Sequence, residues 1–239
     1  MLNKLYIVMV ALVAAFSLSA QSVDDILNNY FENTGGLENW HNLKSTRTEA
    51  TMSMGGMEFQ GIIFAKFPNK QRVEVDVQGQ KIIQSYDGET AWWINPFASG
   101  PEAQPMPDEM AEDMKKQEFE NPFINYREKE SKVELLGEEL VEGTETFKVR
   151  LTKKDGSEET YFFDKEYFIP VMIQSLITSG QAQGQMTEIY FSDYQEVEGL
   201  MMPFFLETKV GGQSVQKITI KKIEVNVNME DSFFDFPKK

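Results

Sequence analysis

The sequence predicts a mainly β fold of the α+β kind, built on antiparallel strands with a few short helices. Three observations predict it. From Thr46 onward, apolar residues recur with period two through about a dozen short segments. Dipeptides that supply the positive φ of tight hairpins separate those segments: Gly55-Gly56, Asp87-Gly88, Glu142-Gly143, Asp155-Gly156, Glu198-Gly199 and Gly211-Gly212. Helical spacing is confined to the stretch before Thr46 and to one insertion between Asn95 and Lys129.

The first element is a leader. Lys4 precedes the apolar run Leu5 to Phe16, and the small residues Ser17, Ser19 and Ala20 follow, which is the layout of a secretory signal peptide over residues 1–20. The run is too short for a membrane span, which needs about 20 apolar residues. Cleavage after Ala20 starts the mature chain at Gln21. Leu18 is an unusual third residue before that cut, and cleavage after Ser19 is the alternative. The mature chain is therefore expected in the periplasm, as one soluble domain over residues 21–239 with no integral membrane segment.

Ser22 caps a helix from Val23 to about Glu32, with Asp24 and Asp25 in the first turn, where the helix dipole favours acid. Ile26, Leu27, Tyr30 and Phe31 form its apolar stripe, and Thr34-Gly35-Gly36 ends it. A second short helical turn holds Leu37, Trp40 and Leu43. The strands of the first half read as Arg47 to Met54, Met57 to Phe67, Gln71 to Val77, Lys81 to Tyr86 and Glu89 to Ile94. The cleanest alternation is Val73, Val75 and Val77 against Arg72, Glu74 and Asp76. Four prolines from Pro96 to Pro107 make the start of the insertion irregular, and a helix from Asp108 to Gln117 follows, with Met110 and Met114 on one face. The second half reads as strands Lys132 to Leu140, Thr144 to Lys153, Glu158 to Asp164, Ile169 to Thr178, Gln185 to Tyr194, Met201 to Val210 and Gln213 to Val225.

Most of these strands have one apolar and one polar face, so one side of the sheet has to be covered. The helices are too few to cover it. The sheet either folds on itself as a sandwich, or curls around the helices as a barrel or half-barrel that can leave an apolar cavity.

Composition excludes several functions. The 239 residues include no cysteine and one histidine, and their formal charge of −15 becomes −16 when Lys4 leaves with the leader. Disulfides, a thiolate nucleophile, lipidation on cysteine and a Cys- or multi-His zinc site are therefore absent. The acidic balance argues against nucleic acid as a partner. His41 beside Trp40 lies in no nucleophile-elbow setting, and the acidic groups Glu138-Glu139, Glu158-Glu159 and Asp108 to Asp113 have no EF-hand spacing. They read as solvated faces that favour solubility and repel anionic membranes. The expectation is a non-enzymatic protein with no catalytic residue, metal or cofactor.

One segment is more specific. Asp87-Gly88-Glu89-Thr90-Ala91-Trp92-Trp93-Ile94-Asn95-Pro96-Phe97 resembles the Asp-Gly-x-Thr-x-Trp-x-x-Asn-Pro-Phe segment of the periplasmic lipoprotein carriers, the outer-membrane lipoprotein-sorting (LolA-like) family. Lys66-Phe67-Pro68-Asn69 is similar to that family's strand-ending Pro-Asn turn, and Asn121-Pro122-Phe123-Ile124 to its lid region, with order and spacing matching over roughly Val23 to Lys129. The resemblance implies an unclosed, curved antiparallel half-barrel of about 11 strands. Helices serve as plug and lid, residues 95–129 form the lid insertion, and the apolar cavity accepts acyl chains.

The strand faces and the insertion then supply the candidate lining. It comprises Met52, Met54, Phe59, Ile63, Val73 and Val75 from the first strands. Trp92, Trp93, Met110, Met114, Phe123 and Phe147 complete it. Adjacent strand residues face opposite ways, so at most one of the two tryptophans enters the cavity. Implied partners are lipid or lipoprotein acyl chains and inner- and outer-membrane transfer complexes, with the carrier a monomer. The carriers place an arginine, linked to lid closure and transfer, immediately before the proline. Here that position is Phe67, and Arg72 belongs to the next strand. The competing reading is a secreted β-rich envelope-assembly or interaction protein whose core is filled by its own side chains.

Overall fold

The computed structural model of the chain describes residues 21–178, 180 and 182–237; the leader lies outside the described residues. Helix α1 (Val23–Asn33) starts where the sequence predicts. Ser22 Oγ accepts from the Asp25 amide at 3.1 Å, and the Asp25 carboxylate accepts from the Ser22 amide at 3.2 Å, a reciprocal cap that satisfies two otherwise orphaned donors. Helix α2 (Leu37–Asn42) follows at once. The joint between them is tight. Thr34 Oγ1 donates to Tyr30 O at 2.7 Å and accepts from Trp40 Nε1 at 2.9 Å, and Thr34 O accepts the Met201 amide at 3.2 Å.

Thirteen strands form a single antiparallel sheet. They are β1 (Ser45–Met54), β2 (Met57–Lys66), β3 (Lys70–Val77), β4 (Gln80–Tyr86), β5 (Ala91–Asn95), β6 (Gly100–Pro105), β7 (Lys132–Val141), β8 (Thr144–Thr152), β9 (Glu158–Asp164), β10 (Pro170–Leu176), β11 (Met186–Val197), β12 (Leu200–Val210) and β13 (Gln213–Val225). Their spatial order is 6-5-4-3-2-1-13-12-11-10-9-8-7, unclosed, so the sheet is a curved half-barrel. Strand β6 is the departure from the sequence reading, which left that stretch irregular because of Pro101 and Pro105. It lies on the outer edge of the sheet, where a proline forfeits no ladder hydrogen bond. The two halves meet where β1 pairs with β13, from Thr46 opposite Val225 to Met54 opposite Gln216.

The register assigns every residue to a face. Thr48, Ile63, Val73, Gln84 and Trp93 stand in one row on one face, and Arg47, Phe64, Arg72, Ser85 and Trp92 on the other. The helices lie on the Trp93 face, the concave one. Helix α1, with Phe123, Ile124 and Tyr126, packs there on Phe147, Val149, Leu151, Tyr161 and Phe163. Helix α3 (Asp108–Lys116) sets Ala111 and Met114, with Met106 just before it, against Tyr86, Ala91 and Trp93 at the other end of the sheet.

The convex face of the first half is roofed by the C-terminal segment 226–237, which the sequence left without a structural reading. Phe234 is fully buried there, and its carbonyl accepts from Trp92 Nε1 at 2.8 Å and Ser85 Oγ at 3.0 Å. The Arg72 guanidinium stands 4.6 Å from the Phe233 ring and 5.4 Å from the Trp92 ring. Lys66 ties the strap down at Met229 O and Asp231, both at 2.6 Å.

Two carboxylates make this roof acid-sensitive. Burial pushes the Glu74 carboxyl up, but hydrogen bonds from Lys81 and Arg72 outweigh it and leave the group below its ordinary value of 4.5; Lys66 and Lys70 likewise hold Asp231 below 3.8. A depressed folded pKa means the contribution is complete above the unfolded value and lost as pH falls through the folded one. Tryptophan emission is therefore expected to stay constant down to about pH 4.5 and to shift red below it as the strap loosens. The Glu74→Gln variant should blunt that shift; an unchanged titration would show that these pairs do not hold the strap.

Candidate functional site

The concave face is covered unevenly. Over β7–β10 it is filled: Tyr30 is buried beneath Phe123 and Phe163 with ring centroids 6.4 and 5.5 Å away, and Asn121 Nδ2 donates to its hydroxyl at 2.6 Å. Desolvation holds the Tyr30 phenol well above its usual value, against partial relief from Asn121. At the opposite end α3 covers the feet of β4 and β5, and Gln71 Nε2 donates to Met114 O at 2.9 Å. Between the two plugs, β1–β3 and β11–β13 present an apolar strip that neither helix seals. Phe59, Ile63, Val73 and Val75 are half-buried on it, as are Phe191, Leu206, Ile218 and Ile220 across the central seam. Gly61 makes room within the strip, because a Cβ there would stand 2.9 Å from the Met52 terminal methyl carbon. The connection between β10 and β11 reaches across the concave side, and a Cβ on Gly180 would lie 2.2 Å from Glu109 Oε1 of α3.

A separate cleft of about 910 Å³ lies between the Phe67–Asn69 turn, residues 118–122 and 128–131, and the turn at 153–155. Its rim carries Glu118, Glu120, Glu128, Glu130 and Asp155 beside Lys129, Lys153 and Lys154, and Phe67, Pro68 and Pro122 supply apolar wall.

The predicted lining residues are thus sorted by place. Met52, Met54, Phe59, Ile63, Val73, Val75 and Trp93 share the concave face of the first half, with Met52 buried and Met54 exposed at the strip's end. Trp92 is on the opposite face under the strap, as the alternation of strand side chains requires once Trp93 points inward. Met114 is buried between α3 and the sheet, while Met110 on the same helix is exposed. Phe123 and Phe147 belong to the filled core beneath α1, away from the strip. Sequence reasoning missed Phe191, Leu206, Ile218 and Ile220. Alternation along Gln213 to Val225 already put Ile218 and Ile220 on one face, but only the pairing of β1 with β13 brings that face beside Met52.

Phe67, at the family's arginine position, is exposed, with Lys44 Nζ 4.7 Å over its ring. Arg72 does not replace that arginine, since it points to the convex face and is held by Glu74 and Phe233 O. Among the described residues, no three His, Cys, Asp or Glu side chains are grouped to hold a metal ion, and no helix is long and apolar enough to cross a membrane.

Solved structures share this arrangement at low identity. A DUF1329 family protein from Desulfovibrio piger superposes with TM-score 0.62 at 14% identity, covering 90% of this chain and 98% of that one. A putative outer membrane lipoprotein-sorting protein domain from Vibrio parahaemolyticus gives 0.60 at 12%, covering 88% and 95%. A LolA superfamily protein from Nitrosomonas europaea gives 0.57 at 14%, covering 90% and 98%. A family model described only as an uncharacterized protein matches residues 73–237, more than half of the chain. The chain belongs to the family of that model. No curated protein matches it. The matched region runs from β3 to the C-terminal strap, so the roof over Trp92 falls within the family region as well as the sheet. The fold is the one shared with the lipoprotein-sorting domain and the LolA superfamily structure.

Proposed function

We propose that the protein is a non-enzymatic periplasmic carrier that shields the acyl chains of a lipid or lipoprotein along the concave strip. The observation that carries this reading is the uneven covering: a sheet built to be plugged by helices leaves its middle strands apolar and half-buried. Burying a chain of about 16 methylenes is worth roughly 0.8 kcal/mol per CH₂, so binding needs no charged anchor. The unbranched side chains of Met52 and Met54 can re-pack around chains of different length. In this reading the carrier is a monomer, and membrane complexes load and unload it.

Native mass spectrometry with lipid extraction, on protein purified from its own cell envelope, is expected to find co-purifying lipid. Protein free of lipid, with tryptophan emission indifferent to acyl probes, would end the reading. A sharper prediction concerns Val75, which is half-buried on the strip. Val75→Glu is expected to lower acyl-probe affinity by about tenfold or more, since a charge is costly beside an alkyl chain, while urea stability falls by less than about 2 kcal/mol. Loss of folding with no separate effect on uptake would mean the strip is ordinary core.

A further inference from the structure

Four hairpins, β5–β6, β3–β4, β1–β2 and β12–β13, stand side by side along one edge of the sheet. Their connecting segments are Asn95 to Gly100, Val77 to Gln80, Met54 to Met57 and Val210 to Gln216. None contains an Asp, Glu, Lys or Arg. In a chain with 26% charged residues this is a local depletion. Turns at the opposite edge are charged: Lys66 and Lys70, Asp87 and Glu89, Asp164 to Glu166, Glu142, and Glu198. The β8–β9 turn, with Lys153, Lys154 and Asp155, lies beyond the uncharged row.

The same edge exposes large apolar side chains. Met54 is 52% exposed, Met57 61% and Phe97 53%. The nearest charges on the sheet lie one residue back on the strands, at Glu58, Asp76, Lys81, Lys209 and Lys217. The register puts all five on the convex face, whereas Met54 and Met57 are on the concave one, in line with the strip. The rim is thus apolar toward the trough and ionic behind it.

We propose that this edge seats the molecule on the uncharged surface of a zwitterionic phospholipid bilayer, with the mouth of the strip against the lipid. A bilayer fits the rim because its contacts are spread along a line of eight strands, about 35 Å long, as single flexible side chains among glycine, serine and glutamine. Such tips enter the interfacial layer without carrying a charge into it, and Gln78, Gln80 and Gln213 can hydrogen-bond to headgroup oxygens. On a bilayer that also carries anionic lipid, the acidic remainder of the molecule is repelled, which leaves this uncharged edge as the favoured approach. The seating itself stands apart from the carrier reading; that the strip then receives a chain rests on it.

The test is flotation of the mature chain with phosphatidylcholine vesicles. Wild type is expected to float with them and to bind less as anionic lipid is added. The M54E/M57E double variant should lose about tenfold in partitioning, whereas Y167E, at an exposed site in the β9–β10 turn of the opposite edge, should stay within about twofold. Failure of wild type to bind, or binding unchanged in M54E/M57E, overturns the proposal. So does binding restricted to membranes that retain their proteins, which would assign the edge to a protein receptor. Acyl-probe uptake in solution separates the two readings: vesicle binding without uptake removes the carrier reading alone, and uptake without vesicle binding removes the seating alone.

Discussion

Replacing Gly35 with alanine is expected to destabilise the fold by about 3–5 kcal/mol, measured as the drop in unfolding free energy in urea. Two costs combine. Gly35 has φ +110°, which L residues rarely adopt, and its added Cβ would stand 1.9 Å from the carbonyl oxygen of Gly199. That oxygen belongs to the β11–β12 turn and is backbone, so it can move only by opening the joint in which Thr34 receives the Met201 amide and Trp40 Nε1. The neighbouring glycine is the control. Gly36 has φ +91° but nothing within 4 Å of its built Cβ, so Gly36→Ala should cost only the backbone strain, about 1 kcal/mol. Equal urea midpoints for the two variants would refute the claim that contact between α1's end and the β11–β12 turn locks the plug in place.

The second large effect is in the strap. Phe234→Ala is expected to cost about 3–5 kcal/mol, the range for emptying a fully buried aromatic site. Trp92 should report the change in its emission, because it is 1% exposed and its indole N–H donates to Phe234 O of the strap. The half-buried Phe233, which meets Phe64 at 4.9 Å and lies over Arg72, should cost less on truncation. If Phe234→Ala leaves both the urea midpoint and the Trp92 emission unchanged, the strap is an ornament on a sheet that folds without it.

Much of this architecture was legible residue by residue. The reciprocal cap at Ser22 and Asp25, the bounds of α3 and the alternation of β3 are local, and local spacing is what periodicity records. Strand parity also told that the two tryptophans part company. It could not tell which turns inward, because that depends on α3 lying over Trp93 and the strap over Trp92. The strap was illegible for a related reason: residues 226–237 have no period, and their stability comes from donors on Arg72, Ser85 and Trp92, more than a hundred residues away. Strand β6 was hidden by its prolines, which only its edge position permits. As for the strip, its first wall could be read from Val73 and Val75, while its second, Ile218 and Ile220, waits on the non-local pairing of β13 with β1.

That pairing sets an order of events. The seam joins Thr46 to Val225, so a chain emerging N-terminus first can zip β1 to β6 by successive short hairpins, yet it must hold β1 as a bare edge until almost the last strand has appeared. Closing so long a loop is entropically slow, and a naked strand beside apolar faces is a template for pairing with other chains. Nascent molecules are therefore most vulnerable to aggregation late in synthesis, in the interval before β13 arrives, and the same final segment that completes the sheet then lays the strap across its back.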